Sequence, residues 1–83
     1  MRYTVTWRPS ARSELARLWM QTADKQAMSA ASNRIDQLLA VVPLSIGMAH
    51  GRYRRLVLGP LEVVYKVSPP DCLVEVVYVA GLP

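Results

Sequence analysis

The chain opens with a short alternation of apolar and polar residues. Tyr3, Val5 and Trp7 fall on one side of an extended strand, and the residues between them are polar. A period of two indicates a half-buried β-strand. Pro9 fixes the φ angle that a first helical turn needs, so we expect a helix to begin about there. The apolar stripe of this helix has helical spacing and consists of Ala11, Leu15, Leu18 and Trp19.

A second helical stripe follows after a short link. Asp24 is suited to cap a helix, because its carboxylate can accept a hydrogen bond from a free N–H of the first turn. Pro43 disfavours helical backbone at Val42, so the second helix should end there. Two helices joined by so short a link should form an antiparallel hairpin. The apolar positions of the second helix are Met28, Ala31, Ile35, Leu38, Leu39 and Val42.

Beyond a predicted loop over residues 44–51, the pattern changes to that of strands. We expect strands over 53–58, 61–67 and 73–79, with turns at Gly59-Pro60 and at residues 68–71. The last strand is apolar at nearly every position, which indicates a central strand covered on both faces. Its expected neighbours are the preceding strand and the N-terminal strand.

These elements predict one α+β domain over residues 1–83, in the order β-α-α-β-β-β. The helical hairpin should pack on one face of a four-stranded, mainly antiparallel sheet and leave the other face free for binding. We expect one core that contains Leu15, Leu18, Trp19, Ile35, Leu38, Leu39, Val63, Tyr65 and Val77.

The charge of the chain narrows the choice of partner. Ten Lys and Arg against six acidic residues give a net charge of +4, and all the cations except Lys25 and Lys66 are Arg. Arg favours bidentate contacts with phosphate or carboxylate, so the partner is expected to be a nucleic acid or an acidic protein. A single Cys72 excludes an internal disulfide and offers no metal cluster. We expect no cofactor, no metal, no signal peptide and no membrane span, and therefore a cytoplasmic protein.

Three segments resemble the RelE/ParE superfamily of toxins. Residues 3–15 (YTVTWRPSARSEL) resemble its first strand and helix start, residues 51–65 (GRYRRLVLGPLEVVY) its basic second strand, tight turn and Tyr-ending third strand, and residues 74–79 (VEVVYV) its last strand. The resemblance covers essentially the whole chain. It implies the RelE-like fold and a type II toxin with a cognate antitoxin, which the charge of this chain suggests binds through an acidic segment. It also implies action on the ribosome and mRNA, by cleavage of the message. Inhibition of DNA gyrase, and a non-toxic relative that only binds a partner protein, remain open.

The same resemblance has two departures at catalytic positions. Ribonuclease members carry an Arg just before the Val-Val-Tyr of their third strand, where this chain has Glu62. They also carry an Arg or His just beyond the fourth strand, where this chain has Leu82. The resemblance therefore transfers only basic residues of the second strand, Arg54 with Arg52 or Arg55, and it implies that cleavage is weak or absent.

The basic residues Arg52, Arg54 and Arg55 form the densest positive cluster in the sequence. In a nuclease they would bind the RNA backbone and stabilise the charge that develops on the phosphate. Alternation places Arg52 and Arg54 on one face of the strand and Arg55 on the other. The alternatives are a solvated strand surface and ion pairs with an acidic antitoxin.

Five further residues complete the candidate site. His50 and Glu62 are candidates for proton transfer. The alternatives are a surface histidine and a solvated Glu62 paired with an Arg of the preceding strand. Lys66 lies on the same face as Glu62 and is a candidate for RNA binding. Tyr53 and Tyr78 could stack on bases, or they could contribute only to packing.

Overall fold

A computed structural model describes residues 2–83. The elements in chain order are β1 (Thr4–Trp7), α1 (Pro9–Gln21), α2 (Lys25–Val41), β2 (Met48–His50), β3 (Tyr53–Leu58), β4 (Leu61–Ser68), a 3-10 turn (Pro69–Asp71) and β5 (Leu73–Gly81). Both helices pack on one face of a five-stranded sheet with the order β1-β5-β4-β3-β2. The β1 and β5 strands are parallel, and the other neighbours are antiparallel. The predicted α+β class and the position of the last strand in the sheet are confirmed.

Local signals set the ends of the helices. Pro9 occupies the first turn of α1, and the Asp24 carboxylate accepts a hydrogen bond of 2.9 Å from the Ala27 N–H at the start of α2. Val42 caps the end of α2 directly before Pro43. Neither helix of residues 2–83 combines the length and the apolar character needed to cross a membrane.

The sheet has one strand more than the four predicted, because β2 lies inside the segment expected to be a loop. Gly47 and Gly51 have φ angles of +72° and +63° and turn the chain before and after this strand. All three residues of β2 are exposed, and they pair with Tyr53, Arg54 and Arg55 of β3. A three-residue strand with no buried side has no alternating apolar signal, since its stability comes from the pairing with β3.

The core lies between the helices and one face of the sheet. Val77, which was expected in this core, is only half-buried. Val64 pairs with Tyr78 and Tyr65 pairs with Val76, so Val77 is an additional residue in a β-bulge. The bulge shifts the alternation, and the buried residues of the core are Ala11, Met28, Ala31, Ile35, Leu39, Leu61, Val63, Tyr65, Val74, Val76 and Val79.

Trp19 also differs from its predicted place. Its side chain is exposed, with 41% of its surface accessible, whereas Leu38 is half-buried. The Trp19 indole N–H donates a hydrogen bond of 3.0 Å to Ser29 Oγ, and the Lys25 ammonium lies 4.8 Å from the ring centre. The helices contact the sheet more than each other, so the outer part of the α1 stripe is left uncovered.

Candidate functional site

The register of the sheet divides the basic residues of β3 between its two faces. Paired residues of neighbouring strands project to the same face. Arg54 pairs with the buried Tyr65, so it lies on the helix side of the sheet. Arg55 pairs with Val64 and with Met48, so it lies on the opposite face of the sheet. We call this face, which points away from the helices, the open face. The predicted separation of Arg54 from Arg55 is confirmed.

The Arg54 guanidinium binds the loop that connects α2 to β2. Its Nε and Nη2 atoms donate hydrogen bonds of 3.1 and 3.0 Å to the Ile46 carbonyl, and Nη2 lies 3.4 Å from the Gly47 carbonyl. The Tyr65 hydroxyl donates to the Pro43 carbonyl at 2.8 Å and lies 3.1 Å from the Ile46 carbonyl. We call these two side chains the loop clamp. They satisfy main-chain acceptors of a segment that has no regular secondary structure.

Steric contacts and electrostatics agree with this role. A Cβ atom at Gly47 would lie 2.6 Å from the Arg55 carbonyl oxygen, so only glycine fits where the loop meets β3. Burial raises the pKa of Tyr65, and the Arg54 guanidinium beside its hydroxyl acts in the opposite direction. From the sequence, Tyr65 is expected only in the core. The signal for its second role is that the hydroxyl of a buried tyrosine needs a hydrogen-bond partner.

On the open face, Arg55 and Glu62 form an ion pair. Arg55 Nε lies 2.7 Å from Glu62 Oε1. Of the alternatives that the sequence left open for Glu62, the structure shows the pairing with an Arg of the preceding strand. The hydrogen bond from Arg55 lowers the pKa of Glu62, and the charge of His50 acts in the same direction. A lower pKa makes this carboxylate a weaker general base.

A second set of ion pairs lies on the same face. The Glu75 carboxylate is 3.4 Å from Arg8 Nη2 and 3.9 Å from Lys66 Nζ. Lys66 therefore shares the open face with Glu62, as the alternation predicts, but its nearest charge is Glu75. Such exposed pairs contribute little to stability, although they reduce the positive potential that an incoming phosphate would meet.

Three candidate residues come together at the turn between β2 and β3. His50 pairs with Tyr53 across the hairpin, and the exposed Arg52 lies in the turn between them. We call these three residues the hairpin-tip cluster. Within residues 2–83, none of their side chains forms a hydrogen bond or an ion pair. Tyr78 lies apart on β5, opposite Val64, and is 52% exposed.

Comparison with known proteins shows which solved structures share this architecture. No family model and no curated protein matches the sequence. The RelBE2 toxin–antitoxin complex of Mycobacterium tuberculosis contains a chain that matches with a TM-score of 0.77 and 16% identity, over 98% of this chain and 92% of that one. The chromosomal ParDE system of Pseudomonas aeruginosa matches with a TM-score of 0.66 and 14% identity, over 99% and 98%. The fold is that of the RelE/ParE toxins.

The RelE/ParE fold also occurs as a part of a longer protein. TrmO from Pseudomonas aeruginosa matches with a TM-score of 0.66 and 28% identity, over 96% of this chain but only 36% of TrmO. The RelBE2 and ParDE matches cover nearly the whole of both chains.

Proposed function

We propose that this chain is the toxin of a type II toxin–antitoxin module and that an acidic segment of its antitoxin holds it inactive. The likeness to chains solved in the RelBE2 and ParDE toxin–antitoxin systems supports the module, and the net charge of +4 supports an acidic partner. The two candidate targets of the toxin, the ribosome with bound mRNA and DNA gyrase, are both cytoplasmic. We therefore propose that the protein acts in the cytoplasm.

The toxin acts by binding its target, and its cleavage of ribosome-bound mRNA is weak or absent. Cleavage through a 2′-hydroxyl needs a base, an acid for the leaving oxygen and positive charge at the phosphate. The observation that carries this proposal is that the two basic groups within β3 have partners inside the molecule. Arg54 binds the Ile46 carbonyl and Arg55 binds the Glu62 carboxylate. The same ion pair makes Glu62 a poor base.

The groups that remain available to an RNA or protein target are those of the hairpin-tip cluster. Arg52 offers a cation without a partner among residues 2–83, His50 offers an imidazole for proton transfer, and Tyr53 offers a ring for stacking. We propose that these three side chains make any contact of the toxin with a nucleic acid. DNA gyrase is the target that best fits a toxin in which Arg54, Arg55 and Glu62 are all engaged by partners within the molecule.

Two assays run in parallel test the mode of action. Primer extension on programmed ribosomes measures mRNA cleavage, and a supercoiling assay measures gyrase inhibition. We expect supercoiling to be inhibited at near-stoichiometric toxin and little or no cleavage to occur. Arg52→Ala should weaken the inhibition, whereas Arg34→Ala, an equal loss of charge on the exposed side of α2, should not. Vigorous codon-specific cleavage by the wild-type chain would contradict the proposed mode.

The antitoxin is tested separately. Co-expression with the small protein encoded on either side, followed by affinity capture, should recover a stable complex and relieve growth inhibition. Absence of a complex with both neighbours, together with no effect of the chain on growth, would refute the assignment to a toxin–antitoxin module.

A further inference from the structure

Three cations of the open face each have a glutamate as a partner. Glu62 on β4 lies 2.7 Å from Arg55. Glu75 on β5 lies 3.4 Å from Arg8 and 3.9 Å from Lys66. We call Glu62 and Glu75 the open-face carboxylates. Both project from interior strands of the sheet, so their positions are fixed by pairing on two sides rather than by a loop.

The open-face carboxylates lie deeper than the cations that they hold. The side chains of Glu62 and Glu75 are 20% and 31% exposed, whereas those of the three cations are 41–46% exposed. The hydrogen bond from Arg55 lowers the pKa of Glu62, so this carboxylate remains ionised at neutral pH. Phosphate and carboxylate oxygens bind the same guanidinium donors. A phosphate that approaches the sheet must therefore displace a carboxylate or bind only the donors that remain.

In other respects the open face is suited to single-stranded RNA. Val64 pairs with Arg55 on one side and with Tyr78 on the other, so a tyrosine ring that is 52% exposed shares the face with this cation. Cations near exposed aromatic rings bind single-stranded nucleic acid, because the cations contact the backbone and the bases stack on the rings. The feature that opposes RNA on this face is therefore the negative charge of the open-face carboxylates.

We propose that Glu62 and Glu75 determine the class of target, because they occupy cations that would otherwise bind the phosphates of RNA. This inference rests on the proposed function, in which the toxin binds a protein target, and it names the residues that exclude RNA. A partner that carries a phosphate at every nucleotide has to compete with the carboxylates, whereas a protein surface does not. Specificity then comes from disfavouring the wrong partner rather than from additional contacts with the right one.

Replacing each open-face carboxylate with glutamine tests this role. Glu62→Gln and Glu75→Gln keep the size of the side chain and remove its charge, and exposed ion pairs contribute little to stability, so both variants should fold. Glu14→Gln is the matched control, because Glu14 also pairs with an arginine, Arg17, but on α1 and outside the open face. Fluorescence anisotropy with a short labelled single-stranded RNA of mixed sequence measures affinity between roughly 50 and 300 mM salt. Circular dichroism melts establish that each variant is folded.

The expected gain follows from the number of cations released. Each cation that becomes free to contact a phosphate of single-stranded RNA steepens the dependence of log affinity on log salt by about 0.7. Glu62→Gln releases Arg55, so it should add about 0.7 to this slope and bind RNA roughly 5–10-fold more tightly at about 50 mM salt. Glu75→Gln releases Arg8 and Lys66 and should add about 1.4. The control on α1 should stay within about twofold of wild type.

Arg55→Ala in the Glu62→Gln background separates the release of a cation from the loss of a negative charge. The double variant should lose the gain in RNA affinity and in salt slope. Unchanged RNA affinity in both glutamine variants, a gain that survives Arg55→Ala, or an equal gain in the α1 control would refute the inference. The supercoiling and primer-extension assays test the proposed function separately. A failure of the inference therefore leaves that function intact, whereas vigorous mRNA cleavage by the wild-type chain would refute the function whatever the anisotropy shows.

Discussion

Replacing Arg54 with methionine would remove the guanidinium group and keep an unbranched apolar stem on β3. The guanidinium donates two hydrogen bonds, of 3.1 and 3.0 Å, to the Ile46 carbonyl. Hydrogen bonds that involve a charged group contribute roughly 1.5–3 kcal/mol each. Ile46 keeps the Tyr65 hydroxyl 3.1 Å away as a second partner, and Arg54 is only half-buried. We therefore expect Arg54→Met to lower the free energy of unfolding by about 2 kcal/mol.

Urea unfolding of Arg54→Met beside Arg52→Met measures this effect. Both variants lose a guanidinium group, but Arg52 is exposed in the β2–β3 turn, and its loss should change stability by less than about 0.5 kcal/mol. For a domain of this size, 2 kcal/mol corresponds to a fall in Tm of roughly 8–16 °C. The slope m should stay unchanged, because the surface exposed on unfolding is the same.

Equal midpoints for the two variants would refute the loop clamp. Arg54 would then be free to contact RNA, which is the role assigned to it from the sequence. A stable Arg54→Met variant that had also lost mRNA cleavage would make Arg54 a functional residue and would remove the main argument for a toxin that only binds its target.

Three further predictions follow from the core and the open face. Leu39→Ala, at a fully buried site, should lower the free energy of unfolding by roughly 2–5 kcal/mol and by more than Leu38→Ala at its half-buried neighbour, as measured by urea melts. Burial raises the pKa of Tyr65 in the folded state, so its contribution to stability should decline as the pH rises above about 10, the ordinary pKa of tyrosine. Tyr65→Phe should remove that decline from thermal melts. Glu62→Gln should leave any residual cleavage in place, since the Arg55-bound carboxylate is not the base; loss of the primer-extension signal would contradict this.

The elements with strong local signals were predictable from the sequence. Pro9, Asp24 and Pro43 act on their own neighbours in the chain, so the ends of the helices followed from chemistry that is independent of the tertiary structure. The bulge at Val77 was not predictable, because it depends on how β5 pairs with β4. In an apolar run such as that of β5, the residue types do not show at which residue the alternation shifts.

The candidate site also has features that were predictable from the sequence and features that were not. Alternation alone placed Arg54 and Arg55 on opposite faces, and the strand order made an Arg55–Glu62 pair predictable. The partners of Arg54 were not predictable, because they are main-chain carbonyls of a loop whose position depends on Gly47 and on the unexpected strand β2. Main-chain acceptors are present in every loop, so the residue types do not show which of them Arg54 binds.

The distribution of charge separates cations that are paired on the open face from cations without partners elsewhere in residues 2–83. On the open face, Arg55 is paired with Glu62, and Lys66 shares Glu75 with another cation. The positive charge of the chain is therefore not concentrated on the sheet, where a family resemblance alone would place a phosphate. It is presented instead by groups without partners among residues 2–83, such as Arg52 at the hairpin tip and Arg12 between the helices. Because these two groups lie in different parts of the chain, Arg52 between β2 and β3 and Arg12 on α1, a ligand bound at one of them does not need to contact the other.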